Sequence, residues 1–169
     1  TIYHHDFADH MAATTTLEDV SSAERIYRWI AGVRMVQAKP ITGFGPSQFF
    51  SNYQEYSVNK FITYISRNEE KSTIHNYYLQ LAVEQGFPGV IIWFVLIIMV
   101  LILGQKLYHC TTGEARTLAM AVTLSYITIL VNIALSDLIE ADKIGTLFFM
   151  LMALLVVLDL HHNKTKALQ

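Results

Sequence analysis

The stretch Ile74-His75-Asn76-Tyr77-Tyr78-Leu79-Gln80-Leu81-Ala82-Val83-Glu84-Gln85-Gly86-Phe87-Pro88-Gly89 marks the point where a polar half of the chain gives way to an apolar one. Most of the charged side chains precede Gly86, and none occurs between Phe87 and Gln105. A helix over residues 87–104 would rise about 27 Å, close to the thickness of the bilayer hydrocarbon. Two further apolar runs, 117–136 and 144–160, are each long enough to cross. The stretch itself predicts a short helix over 74–85. It ends at a Gly-Phe-Pro-Gly break, where Pro88 suits the first turn of the next helix because its missing N–H would be unpaired there anyway. The fold class that follows is an all-α membrane protein. An extracytoplasmic helical loop region (1–86) precedes a region of three transmembrane helices (87–169).

Composition agrees. The chain has 169 residues, of which 53% are hydrophobic and 15% charged, with a mean hydropathy of +0.34. A soluble domain carries about 25% charge. A net charge of -2 gives no electrostatic case for nucleic acid. Cys110 is alone and cannot form an internal disulfide. The first twenty residues are polar and do not read as a signal peptide. The chain opens on Thr1, and an outward-facing region needs an upstream helix to deliver it, so the expectation is a C-terminal piece of a larger protein.

The short loops set the orientation. Lys106, Arg116, Lys164 and Lys166 lie on one side of the predicted spans. On the other, Lys143 stands beside Asp137, Glu140 and Asp142. The positive-inside rule assigns the first group to the cytoplasm and residues 1–86 to the outer face. The second span is studded with Thr and Ser, whose hydroxyls can bond backbone or neighbouring helices, which predicts a helix facing protein more than lipid.

In the polar half, His4, His5, Asp6, Asp9 and His10 cluster without a defensible metal-ligand spacing. Residues 21–39 read as a helix, with Ser21 and Glu24 at capping-box spacing and an apolar face of Ile26, Trp29, Ile30, Val33 and Val36. Arg25 and Arg28 share one edge of it, and Arg34 points the other way. Pro40-Ile41-Thr42-Gly43-Phe44-Gly45-Pro46 is a tight loop without the Lys-Ser/Thr of a phosphate-binding loop. Phe49, Phe50, Tyr53, Tyr56, Phe61 and Tyr64 follow. They suit a sugar-binding groove, packing within the loop region, or the lipid interface. Exposed arginines and lone histidines are common, so residue type alone assigns no role to Arg25, Arg28 or His75.

Two stretches resemble the O-antigen ligase and O-antigen polymerase family of bacterial membrane glycosyltransferases. One is Arg25-x-x-x-Trp29 followed by Pro40-x-x-Gly43-x-Gly45 and Phe49. The other is His75-Asn76 followed by Glu84 and Gly86-x-x-Gly89, placed at the end of a large outward loop before a transmembrane helix. The resemblance covers residues 22–104, and the later spans fit only in hydropathy. It implies a multi-pass protein of the bacterial inner (plasma) membrane that transfers a glycan from a polyprenyl diphosphate carrier to the hydroxyl of a lipid- or protein-linked acceptor.

That chemistry needs a base for the acceptor hydroxyl and a cation for the departing diphosphate. Histidine, with an ordinary pKa of about 6.5, suits the first. Arginine, with a planar fork that stays charged, suits the second. The expected site is therefore His75 as catalytic base, with Arg25, Arg28 and Asn76 binding diphosphate or glycan; Asn76 either orients His75 or donates to a sugar. Glu84, on the opposite side of a straight helix from His75, is expected to be structural. Arginine could supply the charge without a metal, no Asp-x-Asp pair is present, and no cofactor is called for. Two other classes stay open: a membrane anchor presenting a binding domain, and a transporter fragment. The second is disfavoured because the predicted spans hold only one ionisable side chain, Asp159.

Overall fold

The computed structural model describes residues 25–57, 73–140 and 142–167. Five α-helices account for most of these: α1 over 25–38, α2 at Phe49–Tyr56, α3 at Tyr77–Cys110, α4 at Gly113–Asn132 and α5 at Asp142–Ala167. A single 3₁₀ turn, Leu138–Glu140, leads into α5. The Ser21–Glu24 capping box, the N-terminal His/Asp cluster, Phe61 and Tyr64 lie outside the described residues.

The break expected at Gly86 is present. α3 is two helices, 77–85 and 87–110, joined where Gly86 adopts φ 67° and ψ -173°. That backbone region is essentially closed to any residue with a Cβ. Pro88 falls in the first turn of the second segment, where its missing N–H costs nothing. The short helix starts later than expected. Asn76 is its N-cap, with its side-chain oxygen accepting the Leu79 N–H at 2.9 Å. His75 therefore precedes the helix, at φ 55°.

The second segment of α3, α4 and α5 pack as an up-down-up bundle, all three in mutual contact. An aromatic stack fills its upper half: Tyr77 on Trp93, Trp93 on Phe148, and Phe148 on Tyr126, with ring centroids 4.8–5.5 Å apart. Ile91, Ile92, Met99 and Ile102 point outward and are mostly exposed. Such a surface is at home in lipid, and all three helices are long and apolar enough to cross a membrane. They run past the apolar stretches read from the sequence. α3 reaches Cys110, and α5 takes in the polar segment His161–Lys166. Apolarity marks only the length in hydrocarbon, and a helix satisfies its own backbone in water as well.

The hydroxyls of α4 turn inward on their own helix: Thr117, Thr123 and Thr128 each bond the carbonyl four residues back. Within this chain α4 is buried to the same extent as α3.

A second, smaller core joins α1, α2, residue 74 and the short helix, through Ala31, Met35, Phe49, Tyr53, Ile74 and Val83. Here the apolar face expected for α1 is corrected in part. Trp29 and Val36 pack against this core as expected, but Ile26, Ile30 and Val33 are exposed, and the buried side is Arg28, Ala31, Gly32 and Met35. The small residues decide this, because at Gly32 the helix comes so near Leu79 that an added Cβ would lie 3.1 Å from its side chain. Of the aromatics in the 47–64 stretch, Phe49 and Tyr53 are core residues, and Tyr56 meets Phe44 edge-on at 5.6 Å.

Candidate active site

The residues that open and close the junction stretch are both clamped from outside it. At its start, α1 lies across residues 73 and 74. Arg28 Nη1 donates to the Thr73 carbonyl at 2.7 Å, and the Trp29 indole N–H donates to the Ile74 carbonyl at 3.0 Å. At its end, the Pro40–Gly45 loop sits on the kink. Phe44 N–H and Gly45 N–H donate to the carbonyls of Val83 and Glu84, at 2.8 and 2.9 Å, and Phe87 N–H donates to Pro40 O at 2.8 Å. These bonds satisfy carbonyls that the short helix leaves unpaired at its C-terminus and an N–H left unpaired at the start of the next. The approach is backbone to backbone. A Cβ at Gly43 would overlap the Glu84 carbonyl, and one at Gly86 would overlap the Ile41 carbonyl.

Between these clamps, the imidazole of His75 is about one-third exposed. Its Nδ1 lies 3.5 Å from Asp137 Oδ1 and 3.3 Å from Thr73 Oγ1. Asp137 arrives from the turn after α4. Two bonds hold that turn: Tyr77 N–H to Ile133 O at 3.0 Å and the Tyr78 hydroxyl to Leu130 O at 2.9 Å. The hydrogen bond with His75 holds the Asp137 carboxyl down at about 2, assisted by one from Thr73 and opposed by partial burial. Asp137 is thus an anion at any physiological pH.

A second polar line runs beside the first. Ser47 N–H donates to Glu84 Oε1 at 3.0 Å. Gln80 Nε2 lies 3.5 Å from that same oxygen and donates to Glu140 Oε1 at 2.7 Å. Partial burial pushes the Glu140 carboxyl up, and the neighbouring Asp137 charge adds to this against the Gln80 hydrogen bond. Glu84 ties the 43–47 loop to the short helix.

The expected site residues take distinct places. His75 presents a ring about one-third exposed at the junction. Arg25 is exposed, one helical turn before Trp29 and three residues before Arg28. Arg28 differs from the expectation of two arginines reaching one diphosphate: it is 2% exposed, with its guanidinium on a main-chain carbonyl. Asn76 spends its side-chain carbonyl on the helix cap. Asp137 and Glu140, read from the sequence only as a turn, stand next to His75 and Gln80. The signal for them lay in topology, since the rule that puts residues 1–86 outside puts the 137–143 turn on the same side. The far end of the bundle carries Lys106, Arg116, Lys164 and Lys166. Lys106 pairs there with Asp159 at 2.7 Å, and Arg116 lies over the Tyr108 ring at 4.2 Å.

No curated protein and no solved structure matches the chain. A family model described as O-antigen ligase matches residues 2–94, which takes in α1, the Pro40–Gly45 loop, His75, the Gly86 kink and the start of the first long span. The two clamped stretches are thus parts of one family pattern, and the chain belongs to the O-antigen ligase family, a family of membrane proteins of the O-antigen ligase and polymerase type.

Proposed function

We propose that this chain carries the outward-facing reaction centre of a metal-independent glycosyltransferase of the bacterial inner membrane. It moves a glycan from a polyprenyl diphosphate carrier to an acceptor hydroxyl, with residues 1–86 extracytoplasmic and the C-terminus cytoplasmic. His75 is the general base. The acceptor O–H gives its proton to the imidazole, the oxygen attacks the anomeric carbon, and the bond from that carbon to the diphosphate oxygen breaks. The diphosphate leaves with the electron pair, and Arg25 meets the charge it gains. Arg28 serves by holding Thr73, and Asn76 by starting the short helix.

One observation carries this reading. α1 bonds the two carbonyls just before His75 through Arg28 and Trp29, and Arg25 stands one turn before Trp29 on the same helix, which supports its acting with His75 on a carrier's diphosphate. The test is made in the complete gene product. His75→Ala and Arg25→Ala should each reduce glycan transfer by about 10²-fold or more, with lipid-linked glycan accumulating. Normal surface glycan in both variants would sink the proposal. Normal glycan together with ligand binding by the outward region would favour the binding-domain class instead. The glycan that accumulates, and the molecule that fails to receive it, distinguish ligation, polymerisation and protein glycosylation.

A further inference from the structure

We infer that Asp137 is the positioning residue of His75: it fixes the imidazole with the proton on Nδ1, so that the Nε2 lone pair is the one that accepts the acceptor's proton. This rests on the reading of His75 as the base and adds a partner to it.

The backbone of His75 is held before its ring is considered. The two carbonyls preceding it are bound by Arg28 and Trp29, and the residue after it is the N-cap of the short helix. Its φ of 55° is a conformation that non-glycine residues adopt only where surrounding bonds impose it. The ring therefore emerges from a fixed point, and what lies on each side of it decides its chemistry. Nδ1 faces two oxygens, Thr73 Oγ1 at 3.3 Å and Asp137 Oδ1 at 3.5 Å. Thr73 also helps to hold the Asp137 carboxyl down. An unprotonated Nδ1 would turn its lone pair toward an anion, whereas an Nδ1–H has acceptors there. In the neutral ring the remaining nitrogen, Nε2, is then bare.

The carboxylate is delivered by a rigid support, because the end of α4 is bonded to Tyr77 and Tyr78, the first two residues of the short helix. Three other charged side chains on these elements have partners of their own: Arg28 from α1 on the Thr73 carbonyl, and Glu140 from the 3₁₀ turn and Glu84 from α3, both facing Gln80. When Nε2 takes the acceptor's proton, the ring becomes an imidazolium facing the Asp137 carboxylate. The proton is later released to water at the exposed edge of the ring. The arrangement is that of a base held by an orienting acid.

The experiment uses the complete protein in its membrane or in micelles, with purified lipid-linked glycan as donor. Asp137→Asn should lower kcat by about a hundredfold while leaving KM for the donor within about twofold, and Asp137→Glu should recover part of the loss. Nitrogen-15 NMR of labelled histidine should show the neutral His75 ring as the Nδ1–H tautomer in the natural protein and as a mixture in Asp137→Asn. An Nε2–H ring in the natural protein, or an Asp137→Asn variant with unchanged kcat, overturns the inference. The tautomer in the natural protein decides the matter even if Asp137→Asn does not fold. His75→Ala is run in parallel. If it retains activity, the reading of His75 as the base fails. If it is inactive while Asp137→Asn is unaffected, only the role of Asp137 fails.

Discussion

Replacing Gly86 by alanine should unseat the loop that holds the kink, at a cost that can be worked out from three features. Alanine at φ 67°, ψ -173° sits in a region reserved for glycine, costing about 1–3 kcal/mol. Its Cβ would occupy the space of the Ile41 and Pro40 carbonyls, so the loop must lift. Lifting breaks the bonds from Phe44, Gly45 and Phe87, each worth about 0.5–1.5 kcal/mol net. The expected loss is on the order of 3–6 kcal/mol, a large share of the stability of an ordinary domain. Gly43→Ala attacks the same contact from the other side, because its Cβ would strike the Glu84 carbonyl. Once either variant has lifted the loop, the second has little left to break, so the double variant should cost little more than the worse single one. The coupling should reach about 2 kcal/mol. Denaturant titration of the complete protein in micelles gives the three free energies, and hydrogen exchange at the Phe44, Gly45 and Phe87 amides shows whether the loop has left. Additive costs, or single variants within about 0.5 kcal/mol of the parent with those amides still protected, would refute the reasoning.

Two other outcomes follow from the same structure. Glu140 has its carboxyl pushed above the usual carboxylate value, first by partial burial. Folding therefore disfavours its anion, and stability should rise as pH falls through the raised value toward about 4.5 and level off below it. Glu140→Gln should remove that slope from the melting temperature measured between about pH 4.5 and 7.5, with the Gln80 bond kept; a slope that persists unchanged would count against the assignment. In the bundle, Thr123 fills the space beside Gly104, leaving no room there for a Cβ. Gly104→Leu should separate α3 from α4 at a cost of about 1–3 kcal/mol. Gly104→Ala should be milder and be partly rescued by Thr123→Ala, as read by resistance to sodium dodecyl sulfate.

The sequence by itself determined the membrane class, the three spanning helices and the break at Gly86. Those features are written in runs: apolarity sustained over a bilayer's thickness, and a Gly-Phe-Pro-Gly interruption that neither helix can cross unchanged. It also marked His75 and Arg25, through spacing rather than through chemistry visible in either residue. What it misread depends on partners distant in the chain. The stripe Ile26, Ile30, Val33 has helical period, yet α1 buries Ala31 and Gly32 because only small side chains let it approach Ile74 and Leu79. Arg28, expected to bind diphosphate or glycan, is buried on a main-chain carbonyl. Only the tertiary structure put Asp137, more than sixty residues on, beside His75. A hydrogen bond between groups so far apart leaves no periodic trace; it exists because the bundle returns the end of α4 to the start of the short helix. The Pro40–Gly45 loop and the Gly86 kink are the same case. Each reads locally as a turn, and only their meeting explains why both are built on glycine: two backbones bond directly there, with no room for a side chain between them.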